Sequence, residues 1–282
     1  MPASLSVPPS HDFDAVIFAY TGVIGLAPSS GQWARLAGLA GWRRSEVGAF
    51  KRQYRQWLPR YQENLLGTKE FWTVLMHPEQ GAGLDSELLA ALRNADTDMW
   101  TSTDPGVTAV LRSTHTAGTP VALLADVPWP VADAIEGTEW RATLITRTVF
   151  SSQTGVTSPA ARAFDAACVA VRGRPEHTLY VDRSRRNLDA AARFGLKVLH
   201  STGDPTELTG RLPHGPADDA GTTRRPSSPA PLASVTRQPR GQGPRHAVEA
   251  RMAVQVHRGT DMSPRDRAIR LQKTEQPAQH PA

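Results

Sequence analysis

The sequence is nearly devoid of cysteine, with one among 282 residues, Cys168. A single cysteine excludes an intrachain disulfide framework, and it fits a reducing compartment, so we expect a cytoplasmic location. Long hydrophobic runs are also missing, because no apolar stretch approaches the roughly 20 residues that span a bilayer. The first ten residues contain no basic segment followed by an apolar stretch. We therefore expect neither a membrane association nor a secretory signal.

Aromatic residues are scarce at 6%, and hydrophobic residues reach 39%, which is low for a chain that is globular throughout. The region 213–282 accounts for this, since its Pro- and Arg-rich stretches cannot bury a core, and we predict that it is disordered. Residues 216–282 hold 11 of the 32 Lys and Arg residues and 6 of the 27 Asp and Glu residues. The remainder has 21 of each. Because the part predicted to fold carries no basic excess, we predict no specific nucleic-acid partner.

Short apolar runs alternate with amphipathic helical patterns through most of the remaining sequence. This alternation predicts an α/β fold, a Rossmann-like three-layer arrangement in which helices cover both faces of a parallel sheet. A helical pattern that begins at Asp104 and Pro105 leads into the second run. Before it, within residues 30–100, four helical patterns follow one another without a strand. They predict a four-helix cap inserted into the core. The predicted organisation is a core of 12–29 plus 101–212, a helical cap of 30–100 and a disordered basic tail of 213–282. The predicted strands are 14–19, 121–124, 148–152, 178–181 and 196–200.

The stretch 14–24 organises the core. Its apolar run, 15–18, stops at a turn containing glycine, as a buried strand does when its carboxyl end opens a site. Asp12 and Asp14 form an acidic pair at the other end of this strand. At about 3.3 Å per residue, Asp14 lies on the order of 16 Å from the carboxyl end. We predict that both are solvated residues at the entry of the strand.

Phe-Ala-Tyr-Thr-Gly-Val-Ile ends the first apolar run, and Ser-Ser-Gln-Thr-Gly-Val-Thr-Ser-Pro lies in the second half of the chain. Together with two further segments, they occur in the order typical of the haloacid dehalogenase (HAD) superfamily, and the sequence resembles the subgroup with a small helical cap. The first resembles that family's first motif, an apolar strand followed by Asp-x-Asp-Gly-Val, and the second resembles its third motif, Ser-Ser-x-x-Gly-x-x-Lys-Pro. The resemblance implies a HAD-like core and, for the family, a covalent aspartyl intermediate, with Mg²⁺ held by acidic residues. The segments are 18–24, 121–127, 151–159 and 179–187.

The polar groups of this chemistry are largely missing from the matching positions. Ala19 stands where the family has its nucleophilic aspartate, and alanine has no group that can attack. Thr21 stands where the family has its general acid/base, and threonine at its ordinary pKa does not transfer protons near neutral pH. Of the acids in the fourth motif, the first is kept as Asp182 and the second is replaced by Arg183. The nucleophile, the acid/base, the second-motif hydroxyl and the third-motif lysine are replaced by Ala19, Thr21, Ala125 and Ser158, in that order.

This selective loss predicts a HAD-like protein without catalysis, a pseudoenzyme. The cleft at which the family has its active site is predicted to bind a small phosphorylated or other anionic ligand, or a protein partner. Asp182 is the remaining candidate ligand for Mg²⁺, but Arg183 puts a positive charge beside it, so we expect no metal cofactor. The alternative is an active hydrolase of phosphatase or dehalogenase type with a rearranged site. The predicted ligand-binding residues are Thr21, Gly22, Asp126, Asp182 and Arg183.

Overall fold

The computed structural model describes residues 12–79 and 83–214. These residues all belong to one compact unit, Met1–Ala217. The predicted disordered tail lies outside the described residues, except for Pro213 and His214.

The core is a five-stranded sheet in which every neighbouring pair of strands is parallel and β1 lies in the centre, in the order β3-β2-β1-β4-β5. All five residues of β1 are buried, as its unbroken apolar run predicts. Each predicted strand is present. The third is shorter than predicted, because Ser151 and Ser152 belong to a short helix instead. The strands are β1 (Ala15–Ala19), β2 (Val121–Ala125), β3 (Arg147–Phe150), β4 (Thr178–Asp182) and β5 (Lys197–His200).

Four α-helices lie within residues 30–100, as the four helical patterns predict. They are α1 (Ser30–Leu39), α2 (Val47–Gln62), α3 (Thr68–Leu75) and α4 (Ser86–Trp100), with a 3₁₀ turn at Arg44–Glu46. An aromatic cluster fills their interior, in which the ring of Tyr54 lies edge-on to Trp33 and Phe71. The hydroxyl of Tyr20, just past β1, donates to the carbonyl oxygen of Trp100 at 2.9 Å and ties the helices to the sheet. The division into a core and a cap with these boundaries stays a prediction.

Several of the remaining helices pack against the sheet. Asp104 and Pro105 start the first of them as predicted, since the Asp104 side chain accepts from the backbone N–H groups of Gly106 and Val107. None of the helices in the described ranges is both long and apolar enough to cross a membrane. The helices are α5 (Pro105–Thr116), α6 (Trp129–Glu136), α7 (Glu139–Leu144), α8 (Ser151–Thr154), α9 (Ala161–Val171), α10 (Arg185–Phe194) and α11 (Pro205–Thr209).

Candidate functional site

A cavity of about 490 Å³ opens where β1, β2 and β4 end at the carboxyl edge of the sheet. Carboxyl ends of parallel strands are where ligands bind in α/β folds. Ala125, the predicted hydroxyl position, is buried within β2 and is not part of the lining. Asp12 and Asp14 are exposed at the opposite end of β1, as predicted. The cavity brings together the predicted residues Ala19, Thr21, Gly22, Asp126, Ser158, Asp182 and Arg183, and adds Tyr20, Gln62, Leu124, Tyr180, Ser184 and Asn187.

The turn after β1 forms one wall of the cavity. Gly22 has a φ of 78°, a left-handed conformation that glycine adopts without strain. Its N–H donates to the carbonyl oxygen of Gly25 at 2.9 Å, so this group is already used within the turn. A Cβ atom at Gly22 would lie 3.3 Å from Cδ of Arg183. The glycine therefore lets the arginine stem lie across the turn.

The carboxylate of Asp182 is buried at the end of β4 and is held by three donors. Oδ1 accepts from the N–H of Ser184 at 2.8 Å. Oδ2 accepts from Nδ2 of Asn187 at 2.8 Å and also from the hydroxyl of Tyr180. No ion pair joins Asp182 to an arginine within the described part of the chain. Asp182 therefore fastens the end of β4 to the first turn of α10.

Burial raises the pKa of the Tyr180 hydroxyl well above its ordinary value, and the negative charge of Asp182 raises it further. Tyr180 is 1% exposed. Its hydroxyl therefore remains protonated and acts as a hydrogen-bond donor toward Asp182.

Asp126 supplies a second carboxylate to the cavity from the end of β2. The N–H of Ser158 lies 3.1 Å from both of its oxygens. Burial raises the pKa of Asp126 to about 6, although hydrogen bonds from Ser158 oppose the shift. The charges of Asp182 and Glu63 act in the same direction as burial. The amide of Gln62, at the end of α2, donates to the backbone oxygen of Asp126, so the inserted helices also contribute to the site.

Arg183 supplies the positive charge on the cavity wall. Its side chain is exposed and forms no ion pair with any described residue. Its backbone oxygen lies 3.2 Å from Nε2 of His200 at the end of β5. An unpaired guanidinium beside a cavity can form charge-assisted hydrogen bonds with an anion.

The side chains present do not fit the Mg²⁺ site that the fold implies. Mg²⁺ prefers carboxylate oxygens in a near-octahedral arrangement. Ala19 offers no oxygen from its side chain, and the carboxylate of Asp182 is occupied by three donors. Among residues 12–79 and 83–214, no group of three or more His, Cys, Asp or Glu side chains is arranged to hold a metal ion.

Of the six lining residues that the prediction did not name, Tyr180 and Gln62 differ in how far the sequence could have revealed them. Tyr180 lies two positions before Asp182 on the same strand, so the period of 2 places both side chains on one face. That spacing is a signal that could have identified Tyr180. Gln62 carries no comparable signal, because it reaches the site only through the packing of α2 against the core.

No family model and no curated protein matches the sequence. Solved structures do. A HAD family enzyme from Bacteroides thetaiotaomicron is 14% identical with a TM-score of 0.56, over 68% of this chain and 94% of that one. That enzyme has also been solved with magnesium and inorganic phosphate, as the wild type and as an aspartate-to-alanine variant.

Dehalogenases give similar matches. A dehalogenase with an intermediate complex is 17% identical with a TM-score of 0.56, over 72% of this chain and 98% of that one. The L-2-haloacid dehalogenase from Xanthobacter autotrophicus is 17% identical with a TM-score of 0.51, over 67% and 77% of the two chains. At such low identity these likenesses concern the fold alone. The chain has the HAD-like fold, as its four motif segments predict.

Proposed function

We propose that this chain is a HAD-fold protein without the family's covalent catalysis, and that its cavity binds a small phosphorylated or other anionic ligand in the cytoplasm. The observation that carries the proposal is the methyl group of Ala19, which lines the cavity at the end of β1. This is the position at which the family places its nucleophilic aspartate, and a methyl group cannot attack phosphorus or carbon. A protein partner that inserts an acidic group into the same cavity is the alternative occupant.

The charges of the cavity support an anion bound next to Arg183. The guanidinium has no acidic partner among the described residues, whereas the carboxylate of Asp182 is held by its own neighbours. Asp126 opposes an anion when it is ionised. Because its pKa is about 6, protonation removes this repulsion at mildly acidic pH. The solved Bacteroides variant, in which alanine replaces an aspartate, is a HAD-family protein that was determined with magnesium and inorganic phosphate.

Calorimetric titration with inorganic phosphate in the absence of metal tests the proposal. We expect binding that weakens about tenfold or more in Arg183→Ala, since one charge-assisted hydrogen bond contributes roughly 1.5–3 kcal/mol. Sulfate, which stays doubly charged over this range, should bind more tightly at pH 5.5 than at pH 7.5, because Asp126 becomes protonated. Arg193→Ala is the matched control, because Arg193 is an exposed arginine in the last turn of α10, the helix that begins just after Arg183. Equal affinity of the wild type and Arg183→Ala would contradict the anion site.

A second candidate function is an active hydrolase with a rearranged site. Asp126 favours it, because a buried carboxyl group with a pKa of about 6 in a cavity has the properties of a general acid or base. A panel of phosphate esters and haloacids, assayed with Mg²⁺, separates the two functions. The proposed function expects no turnover above background. Turnover that is lost in Asp126→Asn and kept in Asp14→Asn would establish the hydrolase instead.

A further inference from the structure

We infer that Tyr180 is a positioning residue that closes the metal site, because its hydroxyl group occupies the carboxylate of Asp182 that a divalent cation would need. The inference deepens the proposed function and rests on it for the role of the cavity. It assigns the loss of metal binding to two positions, Ala19 and Tyr180, rather than to the missing aspartate alone.

The first step is the placement of the two side chains. Tyr180 and Asp182 alternate along β4 with a period of 2, so both point to the same face of the strand. They are 1% and 3% exposed, and both line the cavity. The hydroxyl of Tyr180 thus reaches the carboxylate of the next residue on its own face of the strand.

The second step is the count of lone pairs. An ionised carboxylate has about four acceptor positions on its two oxygens. Three donors already point at Asp182: the N–H of Ser184 at Oδ1, and Nδ2 of Asn187 together with the Tyr180 hydroxyl at Oδ2. Both acceptor positions of Oδ2 are therefore taken and one is left on Oδ1. Oδ2 has no lone pair to direct at a metal ion, and the positive end of the O–H dipole beside it repels a cation. Of these donors, only the hydroxyl can be removed without disturbing the start of α10.

The third step concerns Ala19. Phe18 is opposite Val181 in the parallel register of β1 and β4, so the ends of the two strands lie side by side. An aspartate at position 19 would bring a second carboxylate to the edge that holds Asp182. If the missing aspartate were the whole reason for the poor fit to Mg²⁺, Ala19→Asp alone would restore a metal site. With the hydroxyl of Tyr180 still on Asp182, we expect that it does not.

The experiment measures Mn²⁺, a spectroscopically visible substitute for Mg²⁺, by electron paramagnetic resonance with the full-length chain. The proteins are the wild type, Ala19→Asp, Tyr180→Phe and the double variant. We expect Tyr180→Phe to bind Mn²⁺ severalfold more tightly than the wild type, and the double variant to bind it at least tenfold more tightly than Ala19→Asp. Tyr61→Phe combined with Ala19→Asp is the matched control, because Tyr61 is another buried tyrosine whose hydroxyl donates to a side chain, that of Thr68. This control should bind no more tightly than Ala19→Asp.

A double variant that binds Mn²⁺ no more tightly than Ala19→Asp overturns the inference, and so does a wild type that binds as tightly as the double variant. Circular dichroism shows whether the new carboxylate at position 19 is tolerated. If it is not, the comparison of Tyr180→Phe with the wild type decides alone, and equal affinities reject the role of Tyr180. Mn²⁺ binding is measured without any turnover, so it tests the role of Tyr180 independently of catalysis. Hydrolysis by the wild type would contradict the proposed function and would not change the result for Tyr180.

Discussion

The carboxyl group of Asp96 is buried inside the bundle of α1 to α4 and has no cationic partner among the described residues. It is 2% exposed and accepts a hydrogen bond of 2.7 Å from the hydroxyl of Tyr54, which in turn accepts from Nε1 of Trp100 at 2.9 Å. Burial raises the pKa of Asp96 to about 7, while the hydrogen bonds from Tyr54 and Trp100 oppose the shift. The protonated form is therefore the one that the fold prefers.

We predict that Asp96→Asn stabilises the protein at neutral and alkaline pH. Because the folded pKa of about 7 exceeds the ordinary 3.8, the folded state binds more protons between these values, and stability falls as the pH rises through this window. The stabilisation should be a few kcal/mol above pH 7, from a shift of roughly three units at 1.36 kcal/mol each. Denaturant unfolding at pH 4 and pH 8 measures it.

Asparagine keeps an oxygen that can accept from Tyr54, so the variant removes the charge and leaves the hydrogen bond. Its unfolding free energy should vary less with pH than that of the wild type. Asp98→Asn is the matched control, because Asp98 is exposed on the same helix and the substitution should leave the pH profile unchanged. If the unfolding free energy of Asp96→Asn depended on pH as strongly as that of the wild type, the raised pKa of Asp96 would be contradicted.

Local signals at the ends of elements specify much of this fold. The clearest is Asp104, whose Oδ1 accepts from the N–H groups of Gly106 at 2.8 Å and Val107 at 3.1 Å at the start of α5. We predict that Asp104→Ala lowers the free energy of unfolding by about 1 kcal/mol, the usual effect of losing an N-cap. Thermal or urea unfolding measures the change. Asp165→Ala, an exposed position within α9, should shift the midpoint much less.

The elements that the sequence predicts are those whose apolar pattern agrees with their tertiary environment. The continuous apolar runs of β1 and β2 are buried at every residue. The predicted third strand fails at its end, because Ser151 leaves the sheet and its hydroxyl accepts from the N–H of Val127 at 3.0 Å. Helix α7 was not predicted, since its six residues are too few to establish a helical period and only Leu144 is buried.

The residues of the candidate site likewise divide into those that the sequence predicts and those that it does not. Residues that end a strand, such as Ala19, Asp126 and Asp182, are predictable because parallel strands bring their carboxyl ends together. Gln62 depends on how α2 packs against the core. The hydrogen bond from the Tyr180 hydroxyl to the carboxylate of Asp182 depends on side-chain geometry that the fourth motif does not specify. The sequence therefore shows which groups are missing from the site, and the structure shows how the remaining ones are engaged.

At the scale of the whole molecule, the charge is distributed unevenly along the chain. The compact unit Met1–Ala217 has 21 Lys and Arg residues and 21 Asp and Glu residues, so it is formally neutral. The net charge of +5 comes from residues 218–282. Nonspecific attraction to a polyanion scales with the number of cations that neutralise it, and salt weakens that attraction. Because the excess positive charge lies in the segment 218–282, we expect any such attraction to come from this segment.

We predict that removal of 218–282 abolishes retention of the protein on a heparin or DNA column at low salt. The full-length chain should be retained and should elute as the salt concentration rises, because its 11 cations in this segment exceed the 6 acids there. The truncated chain should flow through, and phosphate binding by its cavity should be unchanged, since Arg183 and the rest of the cavity lining lie within the compact unit. Retention of the truncated chain at the same salt concentration would instead place a polyanion-binding surface on that unit, despite its formal neutrality.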